Sequence, residues 1–184
     1  MKRLYGLIGF PLGHSFSARY FADKFQQEHL PECEYRNFPL ESILELPAML
    51  ENHPELCGFN VTIPYKQEVI PYLTDLGGEA REIGAVNCVK ITPKGLFGYN
   101  TDAYGFQKSL LELIGNKRPD ALILGTGGAS KAVAYVLKKL GIPFSFVSRQ
   151  SGDNRLTYSE LTPEVMETHK LIINATPLGT FPKV

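Results

Sequence analysis

Charge of one sign is missing from this sequence. Its 184 residues carry 19 Lys and Arg against 19 Asp and Glu, a formal net charge of zero. Neutralising a phosphate backbone takes an excess of Lys and Arg, so this balance argues against a nucleic-acid partner. Long apolar runs are missing as well. None approaches the ~20 residues that a helix needs to cross a bilayer. The N-terminal stretch, residues 1–10, is too short in apolar length and is cut by Gly6 and Gly9, unlike a secretory leader. Cysteine is scarce: Cys33, Cys57 and Cys88 are odd in number and share no CxxC spacing. A disulfide framework and a zinc site are therefore not expected, and small buried thiols in a reducing cytoplasm are. His14, His29, His53 and His169 form no ligand spacing, so no metal is expected, and His14 is read as structural. Nor is there a G-x-S-x-G or Cys/His nucleophile arrangement, an internal repeat or a low-complexity tract.

What is present reads as a globular chain, 43% hydrophobic and 21% charged, long enough for one ordinary domain or two small ones. Apolar runs alternate with amphipathic stretches. Residues 4–9, 34–38 and 58–63 read as strands, the last stopped by Pro64. Residues 17–28 show helical spacing, residues 40–50 read as a helix bent at Pro47, and residues 79–83 as a short helix. Residues 87–92 and 96–99 flank Pro93-Lys94-Gly95, a hairpin turn. A helix over residues 104–114 leads into a polar, turn-rich stretch, and a domain boundary is placed near residues 103–120. Beyond it, residues 121–124, 144–148 and 171–174 read as three strands, with a helix over residues 131–140. This alternation predicts an α/β fold with a mainly parallel sheet. Three strands are few for a dinucleotide-binding sheet, so the second domain is expected to be incomplete at Val184.

The strand at residues 121–124 runs into Gly125-Thr126-Gly127-Gly128-Ala129-Ser130 and then a helix. Strand, glycine turn and helix in this order suit a dinucleotide. Gly125 permits the tight turn, Gly127 lets the backbone approach a pyrophosphate, and the helix start offers free N–H groups. Ser130 stands where a third glycine is usual. A plain strand-to-helix turn is the alternative. The next strand ends in Val147-Ser148-Arg149-Gln150 and carries no carboxylate for ribose hydroxyls. Arg149 sits where a 2′-phosphate would lie, which favours NADP over NAD; a solvated surface arginine is the alternative.

Three polar clusters stand at strand ends in the first half. Ser15 and Ser17 follow the first strand, and Ser17 is also a natural cap for the next helix. Asn60 and Thr62 alternate along an extended segment that leads to Lys66, which read alone is a surface lysine. Asn87 and the run Asn100-Thr101-Asp102 form the third, where Asp102 read alone is an Asx turn or helix cap. Together they offer hydroxyls, amides, one amine and one carboxylate, a set suited to a small polyhydroxylated acid. A Lys–Asp pair can also move a proton to or from an alcohol oxygen while hydride leaves the carbon.

Taken in order, these segments resemble the shikimate dehydrogenase family. Gly-x-Pro-x-x-His-Ser-x-Ser lies at 9–17, Asn-Val-Thr-x-Pro-x-Lys at 60–66 and Gly-Ala-Val-Asn at 84–87. Asn-Thr-Asp lies at 100–102, Gly-x-Gly-Gly-Ala-Ser at 125–130 and Asn-Ala-Thr-Pro-Leu-Gly at 174–179. The resemblance implies NADPH-dependent reduction of 3-dehydroshikimate to shikimate, on the route to aromatic amino acids and chorismate, in the cytoplasm. It implies Lys66 and Asp102 as the catalytic pair. It implies Ser15, Ser17, Asn60, Thr62, Lys66, Asn87 and Asp102 as the substrate site. The cofactor site would comprise Gly125, Thr126, Gly127, Gly128, Ala129, Ser148, Arg149, Thr176 and Leu178. The segments are then a substrate-binding catalytic domain (residues 1–102), a connecting helix and linker (103–119) and an incomplete Rossmann domain that binds NADP (120–184). A monomer or homodimer is expected, with no membrane or nucleic-acid partner. Two departures stand out: Thr180 where the family commonly has Met, and the absence of further C-terminal elements. The alternatives are a quinate/shikimate dehydrogenase of broader specificity and a non-catalytic shikimate-binding fragment.

Overall fold

A computed structural model describes residues 2–13, 15–152 and 154–179. His14, read above as structural, and Thr180 lie outside the described residues. Contacts divide the chain into two units, Met1–Asn100 and Thr101–Val184.

The first unit holds β1 (Arg3–Gly9), α1 (Ser17–Gln27), β2 (Cys33–Pro39), α2 (Leu46–Asn52), β3 (Leu56–Val61), β4 (Asp75–Leu76), α3 (Gly78–Ile83), β5 (Cys88–Thr92) and β6 (Gly95–Tyr99). Its six-stranded sheet runs β2-β1-β3-β5-β6-β4. β1 is parallel to both β2 and β3, whereas β5 is antiparallel to β3 and to β6. The apolar run in β1 is that of an interior parallel strand: Leu4, Leu7 and Ile8 are all buried. The core beside it gathers Phe38, Leu46, Met49, Phe59, Val61 and Val89.

The second unit holds α4 (Asp102–Ile114), β7 (Ala121–Leu124), α5 (Gly128–Lys139), β8 (Phe144–Ser148), β9 (Arg155–Thr157), α6 (Pro163–Thr168) and β10 (Leu171–Asn174). Its sheet is wholly parallel, in the order β10-β7-β8-β9. Ala121, Leu122 and Ile123 are fully buried, and α5 turns Ala132, Val133, Val136 and Leu137 inward. α4 packs with α5 in this unit.

The mainly parallel α/β expectation holds, and several local expectations change. Pro47 does not bend a long helix. Residues 43–45 form a 3-10 turn with a Ser42/Glu45 capping box, and α2 then begins afresh with Pro47 in its first turn, where the missing N–H costs nothing. α5 starts at Gly128, three residues inside the glycine turn. The second sheet has four strands, not three, because β9 is too short and polar to stand out as an apolar run. α6 is a further addition: Thr162 caps it by accepting from the Val165 N–H, with Pro163 at its first position. The cysteines are free and only half-buried rather than fully so.

Candidate active site

The register explains why distant residues meet in the first unit. Asn60, near the end of β3, pairs with Cys88 at the start of β5, which pairs with Tyr99 at the end of β6. Two antiparallel steps thus return Asn87 and Asn100 to the end of the sheet where β1 and β3 finish. The loops after β1 and β3 run side by side there. Thr62 N–H donates to the Ile8 carbonyl at 2.9 Å, and Phe10 N–H to that of Ile63 at 3.1 Å. Gly9 makes this approach possible, since a Cβ on it would collide with Thr62 Cγ2.

Thr62 and Lys66 belong to a tightly braced loop. Tyr65 N–H donates to Thr62 O at 2.9 Å, while its buried hydroxyl donates to Leu40 O at 2.6 Å. Val86 N–H donates to Lys66 O at 2.7 Å. Asn87 is only 9% exposed. Its N–H donates to Tyr99 O at 3.0 Å, and its carbonyl accepts from Val61 N–H at 2.9 Å and Asn60 Nδ2 at 3.2 Å. Asn100, 6% exposed, donates through Nδ2 to Ala85 O at 3.0 Å.

The two serines exchange the roles that sequence suggests. Ser17 does not cap α1 but is its first residue; Phe16 is the N-cap and makes no side-chain cap bond. Ser15 Oγ accepts from the Ser17 N–H at 3.3 Å, so the local turn uses the hydroxyl that capping explained less well. Tyr35, which no motif marks, joins this group. Its hydroxyl donates to Asn60 Oδ1 at 2.8 Å. Burial pushes the phenol well above its ordinary pKa, and the nearby Ser17 side chain pulls the other way. The signal that could have exposed it is the spacing Ser17, Phe21, Phe25 on one face of α1, with Phe21 and Phe25 ringed against Tyr35 and Tyr5. Burial also raises the Cys88 thiol, which keeps it neutral.

The second unit carries the remaining residues. Asp102 is the first residue of α4, after a Thr101 N-cap that makes no side-chain cap bond. Gly125 has φ +102°, and a Cβ there would stand 3.0 Å from Thr176 Cγ2; the tight turn therefore needs glycine. Gly127 is the extended N-cap of α5 with no atom within 4 Å of where its Cβ would be, and α5 has no side-chain cap. The first N–H groups of α5 thus end in an open loop formed by Gly125, Thr126, Gly127, Gly128 and Ala129. Ser130 explains its departure from glycine: it is fully buried, and its hydroxyl donates back to Gly127 O at 2.7 Å. At the end of β8, Ser148 Oγ donates to Gln150 O at 2.8 Å and accepts from Gln150 N–H at 3.1 Å, with Arg149 exposed between them. Thr176 and Leu178 follow β10, beside β7. Asn174 Oδ1 accepts from Thr176 Oγ1 at 2.7 Å, and Leu178 is 72% exposed.

Fold and site define a two-unit α/β protein: a polar cluster at the strand ends of one sheet, and a dinucleotide-type glycine turn on a second, parallel one. Residues 7–89 match the shikimate dehydrogenase substrate binding domain. The chain is 33% identical to shikimate dehydrogenase (NADP(+)) of Caldicellulosiruptor saccharolyticus, over all of this chain and 71% of that protein. The crystal structure of shikimate dehydrogenase from Aquifex aeolicus superposes with a TM-score of 0.85 at 36% identity, covering 97% of this chain and 70% of that one. That of the Thermus thermophilus enzyme in complex with NADP(H) and shikimate gives 0.81 at 30% identity, covering 96% and 69%. The chain belongs to the shikimate dehydrogenase family.

Proposed function

We propose that this chain is an NADP-dependent oxidoreductase that reduces 3-dehydroshikimate to shikimate. The observation that carries the reading is its likeness, along the whole chain, to proteins named shikimate dehydrogenase (NADP(+)). That name favours this activity over a broader quinate/shikimate specificity or a non-catalytic fragment.

In this reading residues 1–102 bind the substrate. Ser15, Ser17, Asn60, Thr62 and Asn87 hold its carboxylate and hydroxyls. Each supplies a hydroxyl or amide, groups that discriminate strongly because an unpaired partner is costly. Residues 120–184 bind the cofactor, joined by residues 103–119. The open, uncapped loop of Gly125, Thr126, Gly127, Gly128 and Ala129 fits a diphosphate. Ser148 and Arg149 would hold the 2′-phosphate, with the guanidinium as a charged fork. Thr176 and Leu178 would lie towards the nicotinamide. When bound, NADPH supplies the hydride.

Lys66 and Asp102 handle the proton. As the carbonyl carbon is reduced, its oxygen gathers negative charge, and the Lys66 ammonium donates the proton that makes it a hydroxyl. Asp102 orients that ammonium and stabilises its charge. In the reverse direction Lys66 takes the hydroxyl proton. A general acid–base group of this kind contributes ~10²–10⁴-fold. The chain works in the cytoplasm on a small molecule, as a monomer or homodimer, without nucleic-acid or membrane partners. The balanced charge speaks against a polyanionic partner.

The test is an initial-rate assay of the chain with shikimate and NADP, following reduced nicotinamide. Turnover is expected, faster with shikimate than with quinate and with NADP than with NAD. No turnover together with no shikimate binding would overturn the reading.

A further inference from the structure

Tyr35 links two elements that the substrate reading treats separately. Its ring stacks on Phe21 of α1, 4.4 Å between centroids and 13° between planes. Phe21 lies one helical turn beyond Ser17, on the same face of α1. The Tyr35 hydroxyl, at the other end of the ring, reaches Asn60 Oδ1 at 2.8 Å. A phenol has a single O–H donor. Asn60 Oδ1 can only accept, so the phenol proton goes there. The Asn60 amide is then held at both ends, because Nδ2 donates to Asn87 O at 3.2 Å. This leaves one Nδ2 hydrogen and one Oδ1 lone pair, in a fixed orientation, as what Asn60 can offer.

Resting on the assignment of Ser17 and Asn60 to the substrate site, we propose that Tyr35 is a positioning residue of that site. Its ring docks the start of α1 through Phe21. Its hydroxyl sets the orientation of the Asn60 amide. A polyhydroxylated acid then meets a preset donor and acceptor pattern rather than one it must organise itself, which lowers the ordering cost of binding. The Tyr35 hydroxyl acts through the Asn60 amide and does not itself take part in the proton transfer.

Tyr35→Phe keeps the ring and removes only the hydroxyl. The whole chain and the variant are titrated with shikimate by calorimetry or NMR, with NADP as a second ligand and the melting temperature as a control. Tyr35→Phe should weaken shikimate binding about 3- to 10-fold, the range for one lost uncharged hydrogen bond. NADP affinity should stay unchanged. In turnover, KM should rise while kcat stays within about twofold. Asn60→Ala combined with Tyr35→Phe should bind no worse than Asn60→Ala alone, because Tyr35 acts through that amide. Phe21→Leu, which removes the stacked ring and leaves every hydroxyl, should weaken shikimate binding in the same direction. A lower melting temperature with wild-type shikimate affinity in Tyr35→Phe would overturn the proposal, as would full additivity in the double variant. If the unmodified chain itself failed to bind shikimate, the substrate assignment would fall first, and the inference with it.

Discussion

The Val86 N–H donates to the Lys66 carbonyl oxygen at 2.7 Å. The residue proposed to move the proton is thereby tied, through its backbone, to the neighbour of Asn87. The tie does not depend on the lysine side chain. Lys66→Ala should therefore keep this backbone tie and fold, while kcat falls ~10²–10⁴-fold and KM changes little. Asp102→Asn should lower kcat in the same direction. Steady-state rates with shikimate and NADP check both, and near-normal kcat in the two variants would end the assignment.

Gly9 is the point where the loop after β1 meets Thr62. A methyl group there collides with Thr62 Cγ2 and comes within 3.0 Å of Ile63 O and Leu12 Cδ2. Overpacking of this kind costs ~1–3 kcal/mol. Gly9→Ala should lower the melting temperature and, by displacing Thr62, raise KM for shikimate more than KM for NADP. Paired thermal melts and rate measurements read the two effects separately.

Arg149 is exposed at the end of β8, and in the proposed function its guanidinium holds the 2′-phosphate. Arg149→Ala should weaken NADP about 10- to 100-fold, the range for a lost charged hydrogen bond. NAD binding should hardly change. Dinucleotide titrations measure the ratio, and an equal loss for both cofactors would remove the phosphate role.

The acid side of the stability curve has an identifiable contributor at Asp75. Its carboxylate accepts from the Leu76 N–H at 2.8 Å and from Arg81, and both hold its pKa below the usual carboxylate range. A depressed folded-state pKa contributes stability above the unfolded value, about 4, and that contribution is lost as pH falls through the folded value. Asp75→Asn should therefore lower the melting temperature slightly at neutral pH and converge on the unmodified chain below about pH 4, which makes the acid fall shallower. The group is exposed, so the shift is small.

The interior strands are legible in the sequence because burial on both faces writes a continuous apolar run, as in β1 and β7. The glycine turn is legible because its φ of +102° at Gly125 demands a residue type. β9 and β4 are not, since three- and two-residue strands leave no period to read. The exchange between Ser15 and Ser17 turns on one residue of helix start, a matter of local dihedral angles that spacing does not resolve. Tyr35 is hidden for a different reason. Its partner Asn60 lies two strands away, and only the pairing of Tyr5 with both Tyr35 and Gly58 brings them into reach. Such a relationship is carried by register across the sheet, and no motif along the chain announces it.

The hairpin of β5 and β6 has two ends with opposite fates. One returns Asn87 and Asn100 to the polar cluster. The other, at Pro93-Lys94-Gly95, lies five residues away along each strand, about 17 Å at ~3.4 Å per residue. Lys94 is exposed there, and a loop tip of this kind tolerates insertion. A peptide tag or surface tether placed between Pro93 and Lys94 would anchor the protein with its polar cluster facing away from the support, a ready attachment point for immobilised biocatalysis or ligand screening.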